Sequence, residues 1–170
     1  MADFTPEQRK RFDEGVAELL TRYPAEYKGA ALMEVLHLVQ EILRWVPVDV
    51  MPLIAERLEI PVVRVREVTA FYSMYRQQPP GRHHVEVCTN VSCSVRGGDE
   101  VLERICERFQ VKPGQTSADG AVTVDVVECL GSCGTAPMLA DNREYKEELT
   151  VSKLEAMMDA WQAEATKEGA

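Results

Sequence analysis

The spacing of the apolar residues changes once along this chain, at Gln77-Gln78-Pro79-Pro80-Gly81. Before that cluster, apolar side chains recur every three or four residues, as on one face of a helix. After it they first alternate, as on a half-buried strand. One uniform layer cannot satisfy both periods, so two units are expected: a helical one over 1–78 and a mixed α/β one over 82–170.

In the first unit, Thr5-Pro6-Glu7-Gln8 is a helix start, with an N-cap, a proline in the first turn and a Gln at the capping-box position. Phe12, Val16, Leu19, Leu20 and Tyr23 then share a face, so a helix is predicted over about 6–22. Leu32, Val35, Leu36, Val39, Ile42 and Leu43 predict another from Gly29 to Trp45, stopped by Pro47. Shorter helices are expected at about 49–58 and 62–74. In the second unit, strands are expected at His84 to Cys88 and Ala121 to Val127, at Met138-Leu139-Ala140 and through Tyr145, with a small extra strand before residue 121. Helices are expected from Gly98 to Phe109 and over about 151–166. The order suits a small sandwich with helices covering a sheet.

Charge narrows the function. With 28 acidic and 19 basic residues the chain carries −9, which disfavours a phosphate backbone or an anionic membrane surface as partner. The polar stretch Met1 to Lys10 reads as neither export signal nor anchor, and the greasiest run, Trp45 to Ala55, is broken by Pro47, Asp49 and Pro52. The five cysteines are therefore expected to be reduced rather than paired.

Cys88 and Cys93 enclose four residues, Cys129 and Cys133 enclose three, and each pair follows a predicted strand. Two short loops at one sheet edge can supply a four-thiolate site. Cys106 stands apart, on the apolar face of a predicted helix with Leu102, Ile105 and Phe109, and reads as a small core hydrophobe. Spacing alone admits structural zinc or an iron-sulfur cluster; a dithiol redox centre is weaker because Cys-x-x-Cys is missing. The second unit has elements enough to fold by burial, which favours a working centre over a zinc staple. Thr89, Asn90, Ser92, Gly131, Ser132 and Gly134 are small or polar and let backbone N–H groups turn towards sulfur, or simply make turns. Gly97-Gly98 opens the next helix, whose first N–H groups could face an anion, although most such pairs are only flexible turns.

Several phrases are similar to a known family. They are Leu36-His37-Leu38-Val39-Gln40-Glu41, Val68-Thr69-Ala70-Phe71-Tyr72-Ser73-Met74-Tyr75, Val87 to Cys93, Glu128 to Cys133 and Ala136-Pro137, with Leu149-Thr150 beyond. The chain resembles the small thioredoxin-like 2Fe-2S subunit of the NADH-dehydrogenase module of bacterial complex I. The resemblance implies an α+β fold, an N-terminal helical bundle followed by a thioredoxin-like α/β domain. It implies Cys88, Cys93, Cys129 and Cys133 as ligands of one 2Fe-2S cluster, with no role for Cys106. It also implies a partner subunit that holds FMN and oxidises NADH, further iron-sulfur subunits, and a cytoplasmic complex peripheral to the inner membrane without insertion of this chain. An apolar residue is implied at position 141, where this chain has Asp141. No Gly-rich dinucleotide turn follows a strand, so hydride chemistry belongs to a partner and this chain has no complete active site of its own.

A 2Fe-2S centre on four thiolates bears two negative charges oxidised and three once reduced. An acidic chain favours the oxidised form, and a potential near the plant-type value of about −400 mV is expected. The diaphorase part of an NAD-linked hydrogenase or formate dehydrogenase would use the same module. A zinc-stapled interaction protein and a thiol-disulfide enzyme are the readings from other classes. His83 and His84 adjoin the first strand but are not needed as Rieske-type ligands beside four cysteines, and His37 reads as a packing or surface residue. Phe71, Tyr72, Met74 and Tyr75 are read as core before partner face. The runs Arg9-Lys10-Arg11 and Glu144 to Glu148 read as solvated faces.

Overall fold

The structure is a computed structural model that describes residues 4–168, with side chains described as far as Ala165. The ends of both expected units, and the first residues of the Met1 to Lys10 stretch, lie outside the described residues. Two compact units divide the chain, Met1–Pro79 and Pro80–Ala170. Among the described residues no helix is long and apolar enough to cross a membrane.

Among the described residues the first unit holds four α-helices: α1 (Pro6–Leu20), α2 (Leu32–Leu43), α3 (Met51–Leu58) and α4 (Val62–Phe71). At the start of α1, Gln8 N–H donates to Thr5 Oγ1 (3.2 Å) and Thr5 N–H to Gln8 Oε1 (2.9 Å), so two orphan donors are satisfied reciprocally. Phe12, Val16, Leu36, Val39, Ile54, Leu58 and Val65 meet in the core. Each such side chain contributes about 1.5–3 kcal/mol of burial. At the surface Asp13 ties α1 to α3, accepting from Arg9 at 3.0 Å and from Arg57 at 2.7 Å.

Helix α2 starts later than its periodicity suggests, because a 3-10 segment over Ala25–Ala31 with Tyr27 off the helical region (φ −123°, ψ 34°) precedes it. At its other end Arg44 turns left-handed (φ 70°) two residues after Ile42 and closes it before Trp45. A 3-10 turn over Val48–Val50 opens α3.

The expected helix over 62–74 ends at Phe71, because Tyr72 is extended (ψ 107°) and the chain turns back on α2. There the Gln40 side chain donates to the Met74 carbonyl and accepts from Arg76 N–H, each at 2.8 Å, and Tyr75 Oη donates to the Met33 carbonyl at 2.9 Å. This bend corrects the reading of the aromatic group as core. Tyr75 is buried with its ring tilted against that of His37, but Phe71 is 80% exposed, and Tyr72 and Met74 are also exposed. Helical spacing fails as a burial signal for Tyr72 and Met74, which lie beyond the helix, while Phe71, its last residue, faces outward.

The second unit is a five-stranded sheet in the order β2-β3-β1-β4-β5, from β1 (His83–Cys88), β2 (Gln115–Thr116), β3 (Val122–Val127), β4 (Leu139–Asp141) and β5 (Glu144–Lys146). Strands β1 and β3 run parallel, and the other pairings are antiparallel. Among the described residues three α-helices accompany it: α5 (Val91–Val95), α6 (Gly98–Phe109) and α7 (Val151–Glu168). The short α5 has no counterpart in the sequence reading, since five residues are too few to show a period. Val85, Val87, Val122 and Val124 pack with Ile105, Phe109, Leu154, Met158 and Trp161 into one core, and Cys106 packs half-buried against it. Burial raises the Cys106 thiol above its ordinary pKa, as suits a residue used for packing.

Asp141 stands within β4, opposite Val85, so the strand forms although its position carries a carboxylate in place of the implied apolar residue. Trp161 Nε1 donates to Asp141 Oδ2 at 3.0 Å, and His83 Nδ1 lies 3.0 Å from the same oxygen. The carboxylate thus serves polar atoms that an apolar residue would strand. Asp141→Leu is expected to cost about 1–3 kcal/mol in urea unfolding, because the Trp161 N–H loses its acceptor, and Asp141→Asn less, because an amide oxygen can still accept. Equal midpoints for wild type and Asp141→Leu would contradict this.

Candidate metal centre

Strand chemistry delivers the first cysteine pair. Cys88 ends β1, and Thr89 N–H caps the end of β3 by donating to the Val127 carbonyl at 3.1 Å. One turn of α5 then returns Cys93 towards Cys88, and both are buried at 2% exposure. Gly98, the first residue of α6, lies against this junction: a side-chain carbon there would stand 2.9 Å from the Cys93 carbonyl and 3.1 Å from the Cys88 oxygen. Ala136, Met138, Val127 and Leu130 surround the pair with apolar surface.

The second pair lies on the segment after β3. Cys129 and Cys133 are both exposed, Gly131 takes a left-handed turn (φ 80°), and Cys133–Thr135 forms a 3-10 turn. Gly131 N–H donates to Cys129 Sγ at 3.3 Å. The Ala136–Pro137 peptide that follows is cis.

The thiols act on one another across the two loops. Burial works to raise the Cys88 thiol, but the N–H groups of Asn90 and Leu130, with hydrogen bonds to the Cys93 and Cys129 thiols, outweigh it and hold Cys88 below its ordinary value. Cys93 is raised, first by burial and then by its bond to Cys88, against an N–H from Met138; the charges of Cys88 and Cys133 push the same way. All four cysteines of the two pairs are therefore within electrostatic reach of this one corner, whereas Cys106 packs half-buried against the core between sheet and helices. Among the described residues no three His, Cys, Asp or Glu side chains gather as ligands of a single metal ion.

Soft sulfur donors, inward N–H groups from Asn90, Leu130, Met138 and Gly131, and an apolar lining fit an anionic, thiolate-bound group. His83 and His84 are committed elsewhere. His84 Nε2 lies 2.6 Å from Asp125 Oδ2, and His83 lies between Asp141 and Glu164.

The acidic stretch 144–148 is largely exposed, as a solvated face should be, and it also hydrogen-bonds to the loop of the second cysteine pair. Tyr145 Oη donates to the Leu130 carbonyl at 2.8 Å, and Glu147 accepts from the hydroxyls of Ser132 and Thr135. Those hydroxyls hold the Glu147 carboxyl below the usual carboxylate range. No sequence signal marks these residues, because their partners lie 12 to 15 positions away with no fixed period.

The pattern of the thioredoxin-like [2Fe-2S] ferredoxin family matches residues 16–162. A subunit of the NADH-quinone oxidoreductase of Rickettsia bellii is 35% identical over 143 residues, 84% of this chain and 86% of that protein. A corresponding NADH-quinone oxidoreductase subunit of Thermus thermophilus is 37% identical over 142 residues, 83% and 78% of the two chains. Among solved structures, an air-oxidised NAD+-reducing [NiFe]-hydrogenase shares the fold, with a TM-score of 0.71 at 22% identity over 79% of this chain, which spans 23% of that protein's chain. With the pattern covering most of the sequence and relatives above a third identical over most of their own lengths, the chain belongs to the thioredoxin-like [2Fe-2S] ferredoxin family.

Proposed function

We infer that this chain is the electron-transfer subunit of an NADH:quinone oxidoreductase, holding one 2Fe-2S cluster on Cys88, Cys93, Cys129 and Cys133. The observation that carries the reading is the meeting of the two cysteine loops at one corner of the sheet in a chain of this family. When bound, such a cluster takes up and returns one electron at a time.

The protein's own residues divide the remaining work. Cys88 and Cys93, shielded by Met138 and Ala136, keep water from one side of the site. The exposed Cys129 and Cys133 leave the other side open to an electron donor or acceptor. N–H groups from Asn90, Leu130, Met138 and Gly131 oppose the growth of negative charge there. NADH and FMN belong to a partner flavoprotein subunit, and further iron-sulfur subunits complete a cytoplasmic complex peripheral to the inner membrane. The relatives named as subunits of that oxidoreductase support this assignment.

Purified protein is expected to be red-brown, to contain about two irons and two acid-labile sulfides per chain, and to show a spin-half paramagnetic signal after dithionite. A colourless preparation with stoichiometric zinc would replace this reading with the structural staple.

A further inference from the structure

The segment from Glu128 to Thr135 carries half of the thiol set but takes no part in the sheet ladder. Gly131 and Gly134 have no neighbour within 4 Å of where a side-chain carbon would stand, so packing around those two positions does not fix the path of the loop. Hydrogen bonds from β5 and the residues after it do. Tyr145 Oη donates to the Leu130 carbonyl at 2.8 Å. Glu147 Oε1 accepts from Ser132 Oγ and, at 2.7 Å, from Thr135 Oγ1, and the two hydroxyls lie 2.7 Å apart. Two main-chain bonds continue the contact, from Glu148 N–H to the Thr135 carbonyl (2.7 Å) and from Leu149 N–H to the Pro137 carbonyl (3.0 Å).

We propose that Tyr145 and Glu147 are positioning residues for the exposed cysteine pair: they fix the backbone on both sides of Gly131, and so fix where Cys129 and Cys133 present their sulfurs. This rests on the cluster reading above. Tyr145 secures the residue next to Cys129, and Glu147 secures the residue next to Cys133, so each ligand has its own anchor one position away. A charged acceptor shared by two hydroxyls is a strong and directional tie. Residues that orient metal ligands without touching the metal commonly control affinity and electronic structure. Glu144 supplies the contrast: it lies three residues earlier, at the start of β5, carries the same charge as Glu147 and pairs with Lys146 at 2.7 Å.

The test uses the full-length protein with its cluster, as wild type and as Tyr145→Phe, Glu147→Ala, Ser132→Ala and Glu144→Gln. Iron release to excess ferrous chelator is followed after reduction, together with the paramagnetic resonance spectrum, the midpoint potential and thermal melting. Tyr145→Phe and Glu147→Ala are expected to release iron about tenfold faster or more. Both should change the g-values or broaden the signal, while Glu144→Gln matches wild type. Tyr145→Phe alters no charge, so a change in its spectrum reports geometry. Should Glu147→Ala fail to fold, Ser132→Ala and Tyr145→Phe carry the same expectation. Release rates and spectra equal to wild type in the anchor variants overturn the proposal, as does a Glu144→Gln variant that reproduces their change. A wild type without iron overturns the cluster reading first, and this proposal with it.

Discussion

Cys88→Ser is expected to abolish both the visible absorption of the purified protein and its paramagnetic signal after reduction, while Cys106→Ser leaves both in place. The contrast follows from position. Cys88 is the hub of the site: the Cys93 and Cys129 thiols bond to it, two N–H groups point at it, and its thiol is held below its ordinary pKa despite burial. A hydroxyl in its place is a hard donor that stays protonated near neutrality, whereas iron-sulfur clusters are held by thiolates. The same substitution at Cys93, Cys129 or Cys133 removes a proposed ligand of the same kind and is expected to give the same loss. Cys106 packs half-buried against Ile105 and its neighbours with a thiol raised by burial, so its replacement touches packing only. Absorption spectra, iron content and resonance spectra of the five variants settle the ligand set. An intact signal in any of the four, or a lost one in Cys106→Ser, would refute it.

The two cysteine pairs of the candidate centre could be picked out from the residues because local spacing marks them. Cys88 and Cys93 span a strand end and a single helical turn, and Cys129 and Cys133 a short loop, so each pair is specified within a few positions. The capping box at Thr5 and Gln8 is equally local and forms as its sequence suggests. What the sequence hides is set by partners far along the chain. The bend after Phe71 is held by Gln40, more than thirty residues earlier, and Tyr72 and Met74 beyond it stand at the surface where core was expected. Asp141 is out of place in a strand pattern until Trp161 and His83 supply its partners. Tyr145 and Glu147 sit in a stretch whose composition suggests only solvation, because a hydrogen bond to a loop has no period to detect.

The same distinction between local and distant causes makes Gly98 the most sensitive position around the centre outside the cysteines. Its backbone lies in an ordinary region, so conformational freedom does not require glycine there; contact does. The first carbon of any side chain would stand 2.9 Å from the carbonyl carbon and oxygen of Cys93 and 3.1 Å from the oxygen of Cys88, and these backbone atoms cannot rotate aside. Gly98→Ala is therefore expected to push α6 away from the junction of β1 and α5. The cost is about 1–3 kcal/mol in urea unfolding of the metal-free protein. Because the atoms displaced belong to two of the proposed ligand residues, the variant is also expected to lose most of its iron during purification. Gly97→Ala is the control that separates the two effects. Gly97 is left-handed (φ 95°) with nothing within 4 Å, so alanine meets no obstacle and carries only a conformational cost of about 1–2 kcal/mol. Comparable destabilisation with iron retained in Gly97→Ala and lost in Gly98→Ala would show that the helix start shapes the ligand loop by direct contact. Iron retained in both would mean that the junction relaxes without moving the sulfurs, and the close approach of α6 would then serve the fold alone.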